Sequence, residues 1–206
     1  MNIIQIANGI LSVNSYFVIN EQTREAVVID CGENYDLIKG KENEFNVKIV
    51  AVLLTHAHFD HVGCAYRFIE QKIPVYIGEI DAGKLETNEN LGSEFRHNYH
   101  VFKADKIFKD GETLKLAGIE FKVLSTPGHT DGSVCFIVGD VIFSGDTLFY
   151  ESIGRSDFPT GDFNELKASV KKLYSFDGDY IIYPGHGQQT TLSHERINNM
   201  FVREND

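Results

Sequence analysis

Basic side chains are scarce in this chain: 19 Lys and Arg stand against 30 Asp and Glu, for a net charge of −11. Binding a phosphate backbone needs clustered Lys and Arg, so the balance argues against a nucleic-acid surface. Long apolar runs are missing as well. The longest, Ile49 to Leu54 and Val134 to Val138, stop far short of the roughly 20 residues that cross a bilayer as a helix, so no membrane partner is expected. The opening Met1-Asn2-Ile3-Ile4-Gln5 lacks a basic region ahead of an apolar core and a small-residue cleavage site, which predicts a cytoplasmic protein. Three widely spaced cysteines, Cys31, Cys64 and Cys135, are a poor basis for a disulfide framework, and buried free thiols are expected instead. No repeat, linker or low-complexity stretch stands out.

What is present is a core. Fifteen Phe and nine Tyr can bury enough apolar area to exclude disorder, and 206 residues suit one domain, 1–206, better than two. Strand-like segments open the chain at Asn2 to Ile6, Ser15 to Ile19 and Glu25 to Asp30, the last two joined by a polar hairpin turn at Glu21 to Arg24. Helices are predicted at Tyr35 to Glu44 and Val62 to Gln71, around a strand at Lys48 to Leu54. After a short strand at Val75 to Ile77 and a helix at Ile80 to Glu86, Thr87 to His100 reads as a polar loop, a candidate mobile segment. Strands resume at Thr113 to Leu116, Ile119 to Leu124, Ser133 to Val138 and Val141 to Ser144. Asp162 then caps a helix whose apolar face is Phe163, Leu166, Val170 and Leu173, followed by a strand at Tyr180 to Tyr183 and a helix near Leu192 to Asn199. Two batches of strands, each with helices, predict two packed sheets covered by outer helices.

The chemistry concentrates after the strand ending at Leu54, in Thr55-His56-Ala57-His58-Phe59-Asp60-His61. Packing imidazoles and carboxylates this densely is unfavourable unless a cation neutralises and orients them. Three later strands also run into tight Gly or Pro turns that end on a candidate ligand: Thr126-Pro127-Gly128-His129, Gly145-Asp146 and Pro184-Gly185-His186. Strand ends are where loops converge to build sites in layered α/β proteins. The tally of five His and two Asp suits two metals, with His56, His58 and His129 on one, Asp60, His61 and His186 on the other, and Asp146 bridging. Asp30, at a strand end, is a candidate to accept a hydrogen bond from a ligand imidazole and set its tautomer. His97, His100 and His194 fall outside this pattern and are expected to be surface or capping residues.

The order His56-x-His58-x-Asp60-His61, His129, Asp146, His186 resembles the metallo-β-lactamase superfamily. The resemblance implies an α+β fold, a four-layer αββα sandwich with a two-metal site at one edge. Thr126-Pro127-Gly128-His129-Thr130, Gly145-Asp146-Thr147, Gly154-Arg155-Ser156-Asp157-Phe158 and Tyr183-Pro184-Gly185-His186-Gly187 are similar to the glyoxalase II (hydroxyacylglutathione hydrolase) group in its short bacterial form. That implies hydrolysis of a small-molecule acyl thioester, S-lactoylglutathione or a related 2-hydroxyacyl thioester, by a metal-bridging hydroxide that Asp60 orients. Two divalent ions are implied, zinc first, since the same donors also accept iron or manganese.

The C-terminal helical substrate domain of the larger glyoxalase II enzymes is not expected in the fold of residues 1–206. Arg155 lies where the family places a basic group on the carrier thiol, and is the candidate substrate contact; it is equally placed to pair with Asp157. The rival enzyme by resemblance is persulfide dioxygenase, with one iron held by His56, His129 and Asp146. A secreted β-lactamase, a ribonuclease needing a basic groove and a purely structural metal site fit the sequence less well.

Overall fold

The computed structural model describes residues 1–95 and 99–203; His97 lies outside the described residues. Strands β1 (Asn2–Asn8), β2 (Val13–Asn20) and β3 (Glu25–Ile29) form an antiparallel meander, with Ile4 opposite Phe17 and Val18 opposite Val27. The β2–β3 turn is closed by the Asn20 side chain, which accepts hydrogen bonds from the backbone N–H groups of Gln22 and Thr23. Helix α1 (Tyr35–Glu44), capped by the Asn34 side chain, then leads to β4 (Lys48–Leu53), which pairs parallel to β3. Short helices α2 (Phe59–Val62) and α3 (Ala65–Glu70) precede β5 (Val75–Gly78). Helix α4 (Gly92–Phe95) and β6 (Lys106–Phe108) complete the first half, a six-stranded sheet in the order β1-β2-β3-β4-β5-β6.

The second sheet contains β7 (Thr113–Leu116), β8 (Ile119–Ser125), β9 (Val134–Val138) and β10 (Val141–Gly145). A two-stranded hairpin, β11 (Leu148–Phe149) and β12 (Ser152–Ile153), and helix α5 (Phe163–Tyr174) come next. Strands β13 (Ile181–Pro184) and β14 (Thr190–Thr191) and helix α6 (Leu192–Asn198) follow. The second sheet's order is β14-β13-β10-β9-β8-β7.

Period-two alternation sorts the core into three apolar layers. Tyr16, Val18, Val27 and Ile29 meet Phe121, Phe136 and Phe143 between the sheets. Their strand neighbours Phe17, Ala26 and Val28 face the other way, onto Ile38 of α1 and Phe68 of α3. Cys135 and Ile142 lie on the outer face of the second sheet under Leu166, Val170 and Leu173 of α5. This is the αββα sandwich. The alternation in β4 is interrupted where the register with β3 shifts between Ala26 and Val27, so Val50 and Ala51 both pack toward the inter-sheet layer. The bulge lets Val52 and Leu54 return to the helical side.

Several boundaries differ from those expected. The segment read as one helix from Val62 to Gln71 is broken at Gly63 and Cys64, because the loop after β3 intrudes: Gly32 N–H donates to His61 O, and Cys64 N–H donates to Gly32 O. A Cβ on Gly63 would come within 2.8 Å of Phe59 O. Ala82–Glu86 is a 3₁₀ turn rather than an α-helix. The stretch read as a polar loop contains a 3₁₀ turn at Asn88–Asn90 and α4, with Asn90 and Leu91 buried. Phe163, placed by periodicity on the buried face of α5, is 47% exposed, since the first turn projects beyond the sheet. The short strands β6, β11, β12 and β14 carry too few residues to show a period. All three cysteines are free and buried, and among the described residues no helix is long and apolar enough to cross a membrane.

Asp162 accepts from the N–H groups of Asn164 and Glu165. Asp162→Ala should therefore cost about 1 kcal/mol of stability, whereas Phe163→Ala should stay within about 0.5 kcal/mol. Urea denaturation of both variants checks the pair.

Candidate metal centre

Topology brings four loops to one edge. β8 and β10 each run antiparallel to β9, and β10 runs parallel to β13, so the C-terminal ends of β8, β10 and β13 share one side of the second sheet. They deliver His129, Asp146 and His186. From the first sheet, the loop after β4 brings His56 and His58 to the same edge, and α2 brings Asp60 and His61. Bonds between the layers fix the approach: Val134 N–H donates to Thr55 O, and Tyr16 O–H donates to Pro184 O at 2.6 Å. Gly145 has φ +49°, and a Cβ there would sit 2.6 Å from Thr55 Oγ1; one on Gly185 would sit 2.2 Å from Asp146 Oδ1. Only glycine lets these backbones close over the ligands.

The seven side chains form three overlapping sets whose donor atoms lie within 4.8 Å of one another: His56, His58 and His129; His56, His61 and Asp146; and Asp60, His61 and His186. His58 Nδ1 is 2.8 Å from His129 Nε2. Asp146 lies 3.4 Å from His129 Nε2 through Oδ2 and 3.3 Å from His61 Nε2 through Oδ1, while Asp60 Oδ2 is 3.2 Å from His186 Nε2. His186 is partly open; the other six are buried. His56 Nε2, His58 Nε2, His61 Nε2 and Asp146 Oδ1 are buried with no hydrogen-bond partner, the His61–Asp146 approach being close but not aligned. A buried polar atom left unpaired costs about 1–3 kcal/mol. Three imidazole nitrogens and one carboxylate oxygen left unpaired in one cluster fit divalent cations, which imidazole and carboxylate donors bind.

The electrostatics divide the cluster. Burial, reinforced by neighbouring imidazoles, pushes His56 well below its ordinary range and His58 down to about 3, so both stay neutral, the form that ligates. Burial opposes ionisation of Asp146 and Asp60, but nearby His61 outweighs it and holds both carboxyls below their usual values. His61 is the converse: burial resists its charge, yet Asp146, Asp60 and Asp30 carry it well above normal.

A second layer of bonds aims the rings. Asp30, at φ +51°, accepts from Thr55 N–H at 2.9 Å and Thr55 O–H at 2.8 Å, and its Oδ2 lies 2.8 Å from His61 Nδ1. Thr55 Oγ1 in turn lies 3.0 Å from His56 Nδ1, while His129 Nδ1 faces Arg155 O at 2.7 Å and His186 Nδ1 faces Leu11 O at 3.2 Å. These acceptors place the proton of each ring on Nδ1 and leave Nε2 for the interior. Sequence reasoning missed Asp81. Its fully buried carboxylate accepts from Ala57 N–H at 2.8 Å and Thr130 O–H at 3.0 Å, tying the His56–His58 loop to the residue after His129. Lys84, ion-paired to Asp81 and Asp131, balances the charge. No local pattern marked Asp81, because its partners are far away in sequence.

Arg155 lines the cleft above the site, with Nε and Nη2 on the Asp157 carboxylate at 2.9 and 2.7 Å. His100 is exposed and stacks on Tyr66, and His194 meets Glu151 Oε1 at 3.0 Å on the rim of α6. The cleft measures about 360 Å³ and is walled by Leu11, Phe59, Leu91, Phe95, Phe149 and Phe158. The cysteine thiols stand apart from this chemistry: burial raises Cys31 well above its ordinary range and Cys135 to about 11, which keeps them protonated.

Residues 8–186 match the Metallo-beta-lactamase superfamily. A hydroxyacylglutathione hydrolase, GloC, of Haemophilus influenzae is 37% identical, the match covering 88% of this chain and 89% of that one. The crystal structure of BLEG-1 B3 metallo-beta-lactamase superposes with a TM-score of 0.91 at 33% identity, covering 98% of this chain and 99% of that one. Another crystal structure, in a di-iron-bound form, superposes with a TM-score of 0.84 at 34% identity, over 97% of this chain and all of the other.

Removing the carboxylate behind His61 should loosen the centre without removing a ligand. Asp30→Ala is expected to lower metal affinity about 10- to 100-fold, read by competition with a chromophoric chelator. Asp81→Ala leaves Ala57 N–H unpaired and Lys84 half-compensated in the interior, and should cost about 3 kcal/mol of stability in urea denaturation.

Proposed function

Because this chain belongs to the metallo-β-lactamase superfamily, whose members bind divalent metals, we propose that it is a glyoxalase II-like hydrolase acting on acyl thioesters. S-lactoylglutathione and related 2-hydroxyacyl thioesters are the substrates to test first. The observation that carries the reading is the cleft floor, which His58, Asp60, His129, Asp146 and His186 line. Sequence similarity to GloC supports the thioester class.

In this reading His56, His58 and His129 hold one divalent ion and Asp60, His61 and His186 a second, with Asp146 between them. Zinc is the metal proposed. When bound, such ions polarise a carbonyl and lower the pKa of a coordinated water toward neutrality. Asp60 orients the attacking water and takes its proton at a carboxylate oxygen. Asp30 and Thr55 hold His61 and His56 in the tautomers that face inward. The apolar walls exclude bulk water from the reacting carbonyl. A thiol leaves as its anion near neutral pH, so hydrolysis of a thioester needs no proton donor at the leaving atom. A β-lactam releases an amine, which does.

The test is turnover by metal-loaded protein on acyl thioesters, a β-lactam and glutathione persulfide, with bound metal quantified. About two zinc ions per chain and thioester cleavage are expected, with His58→Ala and Asp146→Ala reduced to the blank rate while circular dichroism stays native. Oxygen consumption with the persulfide by a one-iron protein, or β-lactam cleavage without thioester cleavage, would overturn the reading.

A further inference from the structure

The cleft above the metal centre is built from two chemistries that do not mix. Its floor is imidazole and carboxylate. Its walls come from five separate segments, the loop after β1 (Leu11), α2 (Phe59), the 88–95 region (Leu91, Phe95), the β11 strand (Phe149) and the segment after β12 (Phe158). Leu91 sits at φ +63°, a left-handed conformation that a branched side chain adopts at a cost, and the strained turn places it, almost fully buried, in the wall. Phe95 stacks on Phe59 with centroids 5.2 Å apart, yet is 51% exposed at the mouth. That leaves apolar surface ready to meet a ligand.

The charge arrangement points the same way. Arg155 is the one cation among the described residues lining the cleft. Two of its donors are already committed to Asp157, and its guanidinium lies 4.2 Å from the centroid of the Phe158 ring. A carboxylate arriving on a substrate would exchange one anionic partner of Arg155 for another, with no net gain in charge pairing. Glutathione carries two carboxylates and one ammonium, and among the described lining residues Arg155 is the one Lys or Arg that could meet a carboxylate.

Resting on thioester hydrolysis as the reaction, we infer that this cleft selects thioesters of a neutral, apolar carrier thiol in preference to glutathione conjugates. The acyl carbonyl lies over the His and Asp floor, and the carrier runs along Phe59, Phe95 and Phe149. Each methylene buried there adds roughly fourfold in affinity.

Binding tests this without turnover. Zinc-loaded protein is titrated calorimetrically with two non-hydrolysable thioethers that share a benzyl group, S-benzyl-N-acetylcysteamine and S-benzylglutathione. The neutral thioether is expected to bind at least threefold more tightly; a smaller difference, an advantage for the glutathione conjugate, or no binding of the neutral one overturns the inference. Phe95→Ala, at a half-exposed position, should weaken the neutral thioether about tenfold, and unchanged affinity counts against the assignment. Asp157→Asn releases Arg155 and should strengthen S-benzylglutathione at least threefold; no gain also counts against it. Lactoyl thioesters of both carriers are then assayed. Neutral-thioether binding with neither thioester cleaved sinks the hydrolase reading and leaves the cleft preference standing, whereas cleavage favouring glutathione does the reverse.

Discussion

Four buried polar atoms that find no partner, His56 Nε2, His58 Nε2, His61 Nε2 and Asp146 Oδ1, set the terms for the rest of the molecule. A chain left to itself would not gather imidazoles and carboxylates in its interior, since each desolvated group opposes folding unless it is paired. Here the groups are held together by surrounding bonds, Asp30 to Thr55 and Asp81 to Ala57 and Thr130 among them. The seven side chains bring donor atoms within 4.8 Å of one another in three overlapping sets, a condition that a cation meets and a core contact does not.

That constraint explains where the stabilising bonds of the edge are placed. Asp30 through Thr55, Asp81 through Ala57 and Thr130, and Tyr16 through Pro184 each join segments far apart in sequence to a loop carrying a ligand. The glycines at 145 and 185 remove the side chains that would hold those loops apart. Apolar layers above and below supply the bulk of the stability, and the polar tethers decide geometry at the edge, where a displacement of an ångström would unmake the donor sets.

The same edge separates reaction from recognition. The floor offers charge and ligating atoms, the walls offer aromatic and branched side chains, and Arg155, the one Lys or Arg among the described lining residues, is already paired. The scarcity of basic residues, with a net charge of −11, therefore has a local counterpart. Selection in such a cleft comes from shape and apolar contact more than from a field that draws in anions.

The sequence alone was enough to mark the seven candidate ligands, because His56 to His61 crowd one short stretch and the others follow strand–Gly or strand–Pro turns that are local signals. Alternation and capping at Asp162 likewise disclosed most strands and the long helices, and two batches of strands indicated two layers. What only the tertiary structure decided depends on partners distant along the chain. The break at Gly63 comes from a loop some thirty residues earlier, the tether at Asp81 from Ala57 and Thr130, and the buried Leu91 from a turn whose strain no periodicity reveals. Arg155 shows the division most clearly: a pairing with Asp157 was one of two readings open to it in the sequence, but that two of its donors take that carboxylate while the guanidinium lies over Phe158 follows from side-chain geometry.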